Sequence, residues 1–89
     1  MSAAVVRHLV LVMRRPDFDA GLLPAHAAFL DELRARGVLE TSGGFADRSG
    51  GAYLLRGIAD AEEARRIAMS DPLAIHGASS IVVHEWHTR

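Results

Sequence analysis

Residues Val5 to Met13 read VVRHLVLVM, and both alternating sets of side chains in this stretch are apolar. Val5, Leu9, Leu11 and Met13 fall on one parity, and Val6, Val10 and Val12 on the other. A run this short and this rich in Val and Leu reads as a strand ending at Arg14-Arg15-Pro16. A strand with two apolar faces needs cover on both sides. In a chain of 89 residues helices can cover one face, and the other points to a second subunit.

The rest of the chain supplies those helices. A loop runs from Asp17 to Leu23, with Gly21 as a breaker. Pro24 suits a first helical turn, where its missing N–H costs nothing. Ala25 to Arg36 is strongly helix-forming and Gly37 is a natural stop. Val38 to Phe45 reads as a second strand, Asp47-Arg48-Ser49-Gly50-Gly51 as a turn, and Ala52 to Ile58 as a third strand. Asp60 followed by Glu63 has capping-box spacing and opens a helix running to about Ser70. Asp71-Pro72 ends it, a turn passes through Gly77, and Ser79 to His87 forms the last strand.

The order βαββαβ predicts an α+β, ferredoxin-like plait: a four-stranded antiparallel sheet with two helices on one face. Residues 1–89 are expected to form a single domain, about 60 to 70 % of whose unfolded surface folding could bury. With 49 % hydrophobic and 24 % charged residues the chain reads as globular. A homodimer or higher oligomer is expected from the uncovered sheet face.

Charge and cysteine usage narrow the function. Ten basic residues stand against eleven acidic ones, for a net charge of −1. No nucleic-acid footprint is present. The chain has no cysteine, which excludes thiolate nucleophiles and thiolate zinc sites. The first apolar run is too short for a membrane span and lacks a signal peptide's basic start. A cytoplasmic protein without nucleic-acid or membrane partners is expected.

Two ionisable residues interrupt apolar helical stripes. Around His26 the positions i+3, i+4 and i+7 are Phe29, Leu30 and Leu33; before Asp71, the positions three, four and seven earlier are Ala68, Ile67 and Ala64. If the second helix reaches Asp71, both side chains point inward. In the plait the start of the first helix and the end of the second share one edge of the sheet. His26 and Asp71 are therefore the candidate catalytic pair.

Arg14, Ser42 and Gly43 reach the same edge and form the expected substrate-binding set. Arg14 and Arg15 could attract an anion, although arginines after a strand are usually solvated. Ser42 could donate to a substrate oxygen, but no base stands beside it. Gly43-Gly44 reads as a bulge or close backbone approach, because the phosphate-loop pattern is missing. In His84-Glu85-Trp86-His87 the two histidines point to opposite faces of a strand, which leaves a His8–His84 pairing as the remaining metal option. No metal and no cofactor are expected. Trp86 reads as interface or core filler, and His76 as an exposed loop residue that could line a pocket.

Taken in order, Pro24-Ala25-His26, Gly37-Val38-Leu39, Ser42-Gly43, Gly50-Gly51, Glu63-Ala64, Asp71-Pro72 and Gly77 resemble the YCII-related (YciI-like) domain over nearly the whole chain. The resemblance implies a dimeric α+β barrel, similar to muconolactone isomerase, with a site built around a His and an Asp. The matching positions are His26 and Asp71. One characterised activity in that family is dehydrochlorination of a chlorinated hydroxyhydroquinone. The chain departs from the family pattern at Gly44, where a Pro commonly stands.

The expected function is a cofactor-independent enzyme, an isomerase or lyase. It would act on a small cyclic or aromatic oxygenated substrate by His/Asp acid-base chemistry. The alternative is a non-catalytic dimeric module that binds a small ligand or assembles without turnover.

Overall fold

The computed structural model describes residues 5–89. The first four residues, part of the stretch read above for a signal segment, lie outside it. Strands β1 (Val5–Arg14), β2 (Leu39–Gly44), β3 (Gly50–Leu55) and β4 (Ser79–Thr88) form one sheet in the order β2-β3-β1-β4. All neighbouring pairs are antiparallel. Helices α1 (Leu23–Ala35), α2 (Ala61–Met69) and the short α3 (Pro72–Ile75) complete the described fold. Among the described residues no helix is long and apolar enough to cross a membrane.

The two parities of β1 separate as the sequence suggests. Val10 and Val12 are buried against the helices, together with Tyr53 and Leu55 of β3 and Leu39 of β2. Leu33 of α1, Ala64 and Ala68 of α2, and Leu73 of α3 close this core. The small Ala64 and Ala68 let α2 lie close to the sheet. Each large apolar side chain buried here contributes about 1.5–3 kcal/mol. Leu9, Leu11 and Met13 occupy the opposite face, where Val82 and Trp86 of β4 are about half exposed.

Several local expectations are corrected. Gly21 belongs to a 3-10 turn, Ala20–Leu22, capped by Asp19 through the Gly21 N–H, and α1 starts directly after it. Gly50 and Gly51 are strand residues rather than turn residues. The turn is made by Phe45 to Ser49, with Arg48 at positive φ and the Asp47 carboxylate accepting from the Ser49 N–H. Hydrogen bonding from the Ser49 side chain first, and from its N–H second, holds the Asp47 carboxyl below its usual range. The irregular register of β2 lies between Leu39 and Thr41 rather than at Gly43-Gly44, which pair regularly with Ala52 and Gly51. Close backbone approach is nevertheless present, because a Cβ on Gly51 would collide with the Gly43 carbonyl.

His8 and His84 cannot meet. His8 stands opposite Glu85 and is buried on the helix side, whereas His84 stands opposite Leu9 on the other face. Alternation by one residue puts them on different sides of the sheet.

Candidate active site

Asp71 reaches the interior by a different route from the one its spacing suggests. It does not continue α2, which ends at Met69. Asp71 is extended, with φ −62° and ψ 132°, and caps α3, whose first residue is Pro72. Its Oδ1 accepts the Leu73 N–H at 2.9 Å. Its own carbonyl accepts from Ala74 and Ile75. A side chain held at both ends in this way has one orientation, and Asp71 is fully buried.

His26 lies in the first turn of α1, on the stripe that includes the buried Leu33 and the half-buried Phe29 and Leu30. Nδ1 of His26 lies 2.8 Å from Asp71 Oδ2 and 3.0 Å from Oδ1. Against a carboxylate, which can only accept, Nδ1–H is the donor, and in the neutral ring Nε2 then carries the free lone pair. The imidazole is 18 % exposed and the carboxylate 0 %. Water therefore reaches the pair from the imidazole side.

Beside His26 is a cavity of about 250 Å³. Its wall includes Arg14, Ser42 and Gly43, so with His26 four of the five residues singled out from the sequence reach one space, and the fifth, Asp71, lies behind His26. Gly44, Gly50 and Gly51 also line the space. A Cβ on Gly50 would collide with the Val12 carbonyl. Arg14 stacks its guanidinium 4.3 Å from the Phe18 ring centroid, which holds the cation at the cavity wall. His76, by contrast, ends α3 exposed and away from the cavity.

Two further residues of the wall escaped sequence reasoning. Tyr53 projects from β3 beneath α1, edge-on to Phe29 with ring centroids 6.2 Å apart. Burial pushes its phenol well above the usual range, and the nearby Asp71 carboxylate adds to the shift. Ser79 opens β4 and is buried. Neither hydroxyl has a hydrogen-bond partner among the described residues. Leaving one unsatisfied costs about 1–3 kcal/mol. The available signal was that the chain's sole tyrosine sits on the helix-facing parity of β3, where a phenol needs a partner.

The fold and site thus define a ferredoxin-like α+β protein with a half-buried imidazole paired to a buried carboxylate at one end of its sheet. The chain belongs to the YCII-related domain family, whose pattern it matches over residues 6–87. It is 40 % identical over 80 residues to the uncharacterized protein YjpA of Bacillus subtilis (strain 168), covering 89 % of this chain and 92 % of that protein. Among solved structures it resembles 5-chloro-2-hydroxyhydroquinone dehydrochlorinase (TftG) from Burkholderia phenoliruptrix AC1100, in complex with 2,5-dihydroxybenzoquinone. The TM-score is 0.68 at 21 % identity, over 90 % of this chain and 92 % of that one. This second likeness is one of fold.

Proposed function

We propose that the chain is a cofactor-independent enzyme that uses His26 and Asp71 for proton transfer on a compact oxygenated ring. The observation that carries this reading is the fully buried Asp71 carboxylate, fixed by the Leu73 N–H and directed at an imidazole that lines a cavity. Asp71 holds the tautomer, and Nε2 of His26 is the base. Nε2 removes a proton from a ring C–H or O–H. The released electron pair moves into the ring and either comes to rest on a carbonyl oxygen or expels a leaving group with its pair. The imidazolium then returns its proton to another ring atom, or to solvent after elimination.

The first course is an isomerisation and the second a lyase reaction. TftG gives the second a concrete form, since its named substrate is a chlorinated hydroxyhydroquinone. The test is to incubate this protein with 5-chloro-2-hydroxyhydroquinone and measure chloride release and quinone absorbance. His26→Ala should abolish any turnover seen. Tight binding without conversion across chlorinated and lactone substrates would favour the non-catalytic binding module.

A second copy of the chain is proposed to cover the open sheet face. The support is the apolar surface of Leu9, Leu11, Leu54, Val82 and Trp86, which the helices leave uncovered. Leu11 lies on this face and Val12 on the helix side. Leu11→Glu should therefore drive a dimer toward monomer by burying an unpaired charge at the interface. Light scattering across micromolar concentrations checks this. A wild-type monomer throughout would remove the dimer from the reading.

A further inference from the structure

We infer that Tyr53 and Ser79 are the ligand-holding residues of the cavity, donating hydrogen bonds to acceptor oxygens of a compact anionic ring. The inference rests on the reading of the cavity as a ligand site and adds the chemical class of its occupant. Both side chains are more than nine-tenths buried, both line the cavity beside His26, and neither hydroxyl has a partner among the described residues. Their positions are rigid. Tyr53 lies mid-strand against Phe29, and Ser79 stands opposite Arg14 at the first pair of β4 with β1.

The composition of the wall decides the polarity of the ligand. Arg14 contributes a cation, and Ser42, Tyr53 and Ser79 contribute hydroxyls. Among the described residues lining the cavity none carries a carboxylate, and the Asp71 oxygens behind it are engaged by His26 and Leu73. Donors and positive charge predominate, so the complementary molecule carries several acceptor oxygens and negative charge. Burial keeps the Tyr53 phenol protonated through the working pH range, so it remains a donor to an ionised oxygen. The size of the cavity, about 250 Å³, suits a single ring.

The experiment titrates the full chain with 2,5-dihydroxybenzoquinone, an anion at neutral pH, by calorimetry. Wild type, Tyr53→Phe, Ser79→Ala and His26→Gln are compared, and melting temperature is recorded for each. Loss of one hydroxyl should weaken binding about ten- to a hundredfold, the value of a hydrogen bond to a charged group. The melting temperature should hold or rise, because neither variant removes a bond made in the free protein. Hydroquinone, a ring of the same size that is uncharged at neutral pH, should bind more than about tenfold more weakly.

Affinities of Tyr53→Phe and Ser79→Ala within about twofold of wild type, with binding weakened in His26→Gln, would overturn this inference and leave the proposed site standing. A melting temperature lowered by more than about 5 °C in both hydroxyl variants would assign the hydroxyls to the fold, and so overturn it as well. Failure of wild type to bind either ring would overturn both the inference and the ligand class on which the proposed function rests.

Discussion

Two imidazole–carboxylate pairs lie at opposite ends of the sheet, and their distances alone do not tell them apart. Nδ1 of His26 is 2.8 Å from Asp71, and Nε2 of His87 is 2.7 Å from Glu85. Their surroundings differ. Asp71 is fully buried and Glu85 is 46 % exposed; the imidazoles are 18 % and 61 % exposed. In water an exposed pair contributes about 0–1 kcal/mol and is screened by salt. At the His26 end a rigid cap fixes the carboxylate and a cavity gives the ring something to act on. Proximity makes an ion pair; orientation, dryness and an adjoining space make a candidate site.

The largest expected effect breaks the comparison outright. On a substrate that the wild type converts, His26→Ala should lower kcat by about 10²–10⁴-fold, the usual contribution of a positioned acid or base. Asp71→Asn keeps the shape and removes the charge that orients the ring, so it should also lose most of the rate. The double variant should be little worse than His26→Ala alone, since groups acting as one unit are strongly non-additive. Equal and additive losses in steady-state assays would mean two independent groups rather than a pair.

Stability sharpens the contrast, because α2 and α3 each start at an aspartate cap. Asp60 accepts from the Glu63 N–H at 2.8 Å at the start of α2, where Glu63 reaches back to the Ala59 N–H. Asp71 accepts from Leu73 N–H at 2.9 Å and also holds His26. Asp60→Ala should cost about 0.5–2 kcal/mol through the lost cap and leave activity intact. Asp71→Ala should lower the melting temperature further, since it also leaves a hole in the core and an unpartnered imidazole. Thermal melts and rates measured on both variants check the order. A larger destabilisation from Asp60→Ala would contradict the burial of Asp71.

Tyr53 gives a smaller effect, visible only in alkali. Its folded-state phenol titrates above the usual value of 10.0. A group raised on folding contributes stability that is complete below the unfolded value and is lost as pH rises through the folded one. Wild type should therefore lose stability above pH 10, and Tyr53→Phe should lose less over the same interval. Denaturant midpoints at pH 8 and above pH 10 make the comparison; parallel losses in both proteins would mean that Tyr53 does not titrate differently on folding.

The plait was legible because β1 declares two apolar faces and the remaining elements follow as βαββαβ. The edge shared by His26 and Asp71 followed from topology, which fixes strand and helix ends without requiring contact distances. What the sequence concealed was set by local backbone. Asp71 points inward because it caps α3, a four-residue helix too short to show a periodicity. Glu40 slips the β2 register without a glycine to mark it. Tyr53 and Ser79 gained a role only when the cavity showed which buried strand hydroxyls lacked a hydrogen bond.

The His87 end provides the smallest expected effect. His87 and Glu85 are two residues apart on one strand, so the backbone already brings them together and little ordering of the chain depends on their contact. Glu85 also lies 3.8 Å from the buried His8 Nε2, too far for a hydrogen bond. His87→Gln should accordingly change stability by less than about 1 kcal/mol, with a difference that shrinks as salt is raised. Turnover should remain at the wild-type level, because the residue lies at the far end of the sheet from the cavity. A salt-independent loss of stability in thermal melts would show that the outer pair is shielded from solvent in the working protein, and the contrast with His26 and Asp71 would then have to rest on the cavity alone.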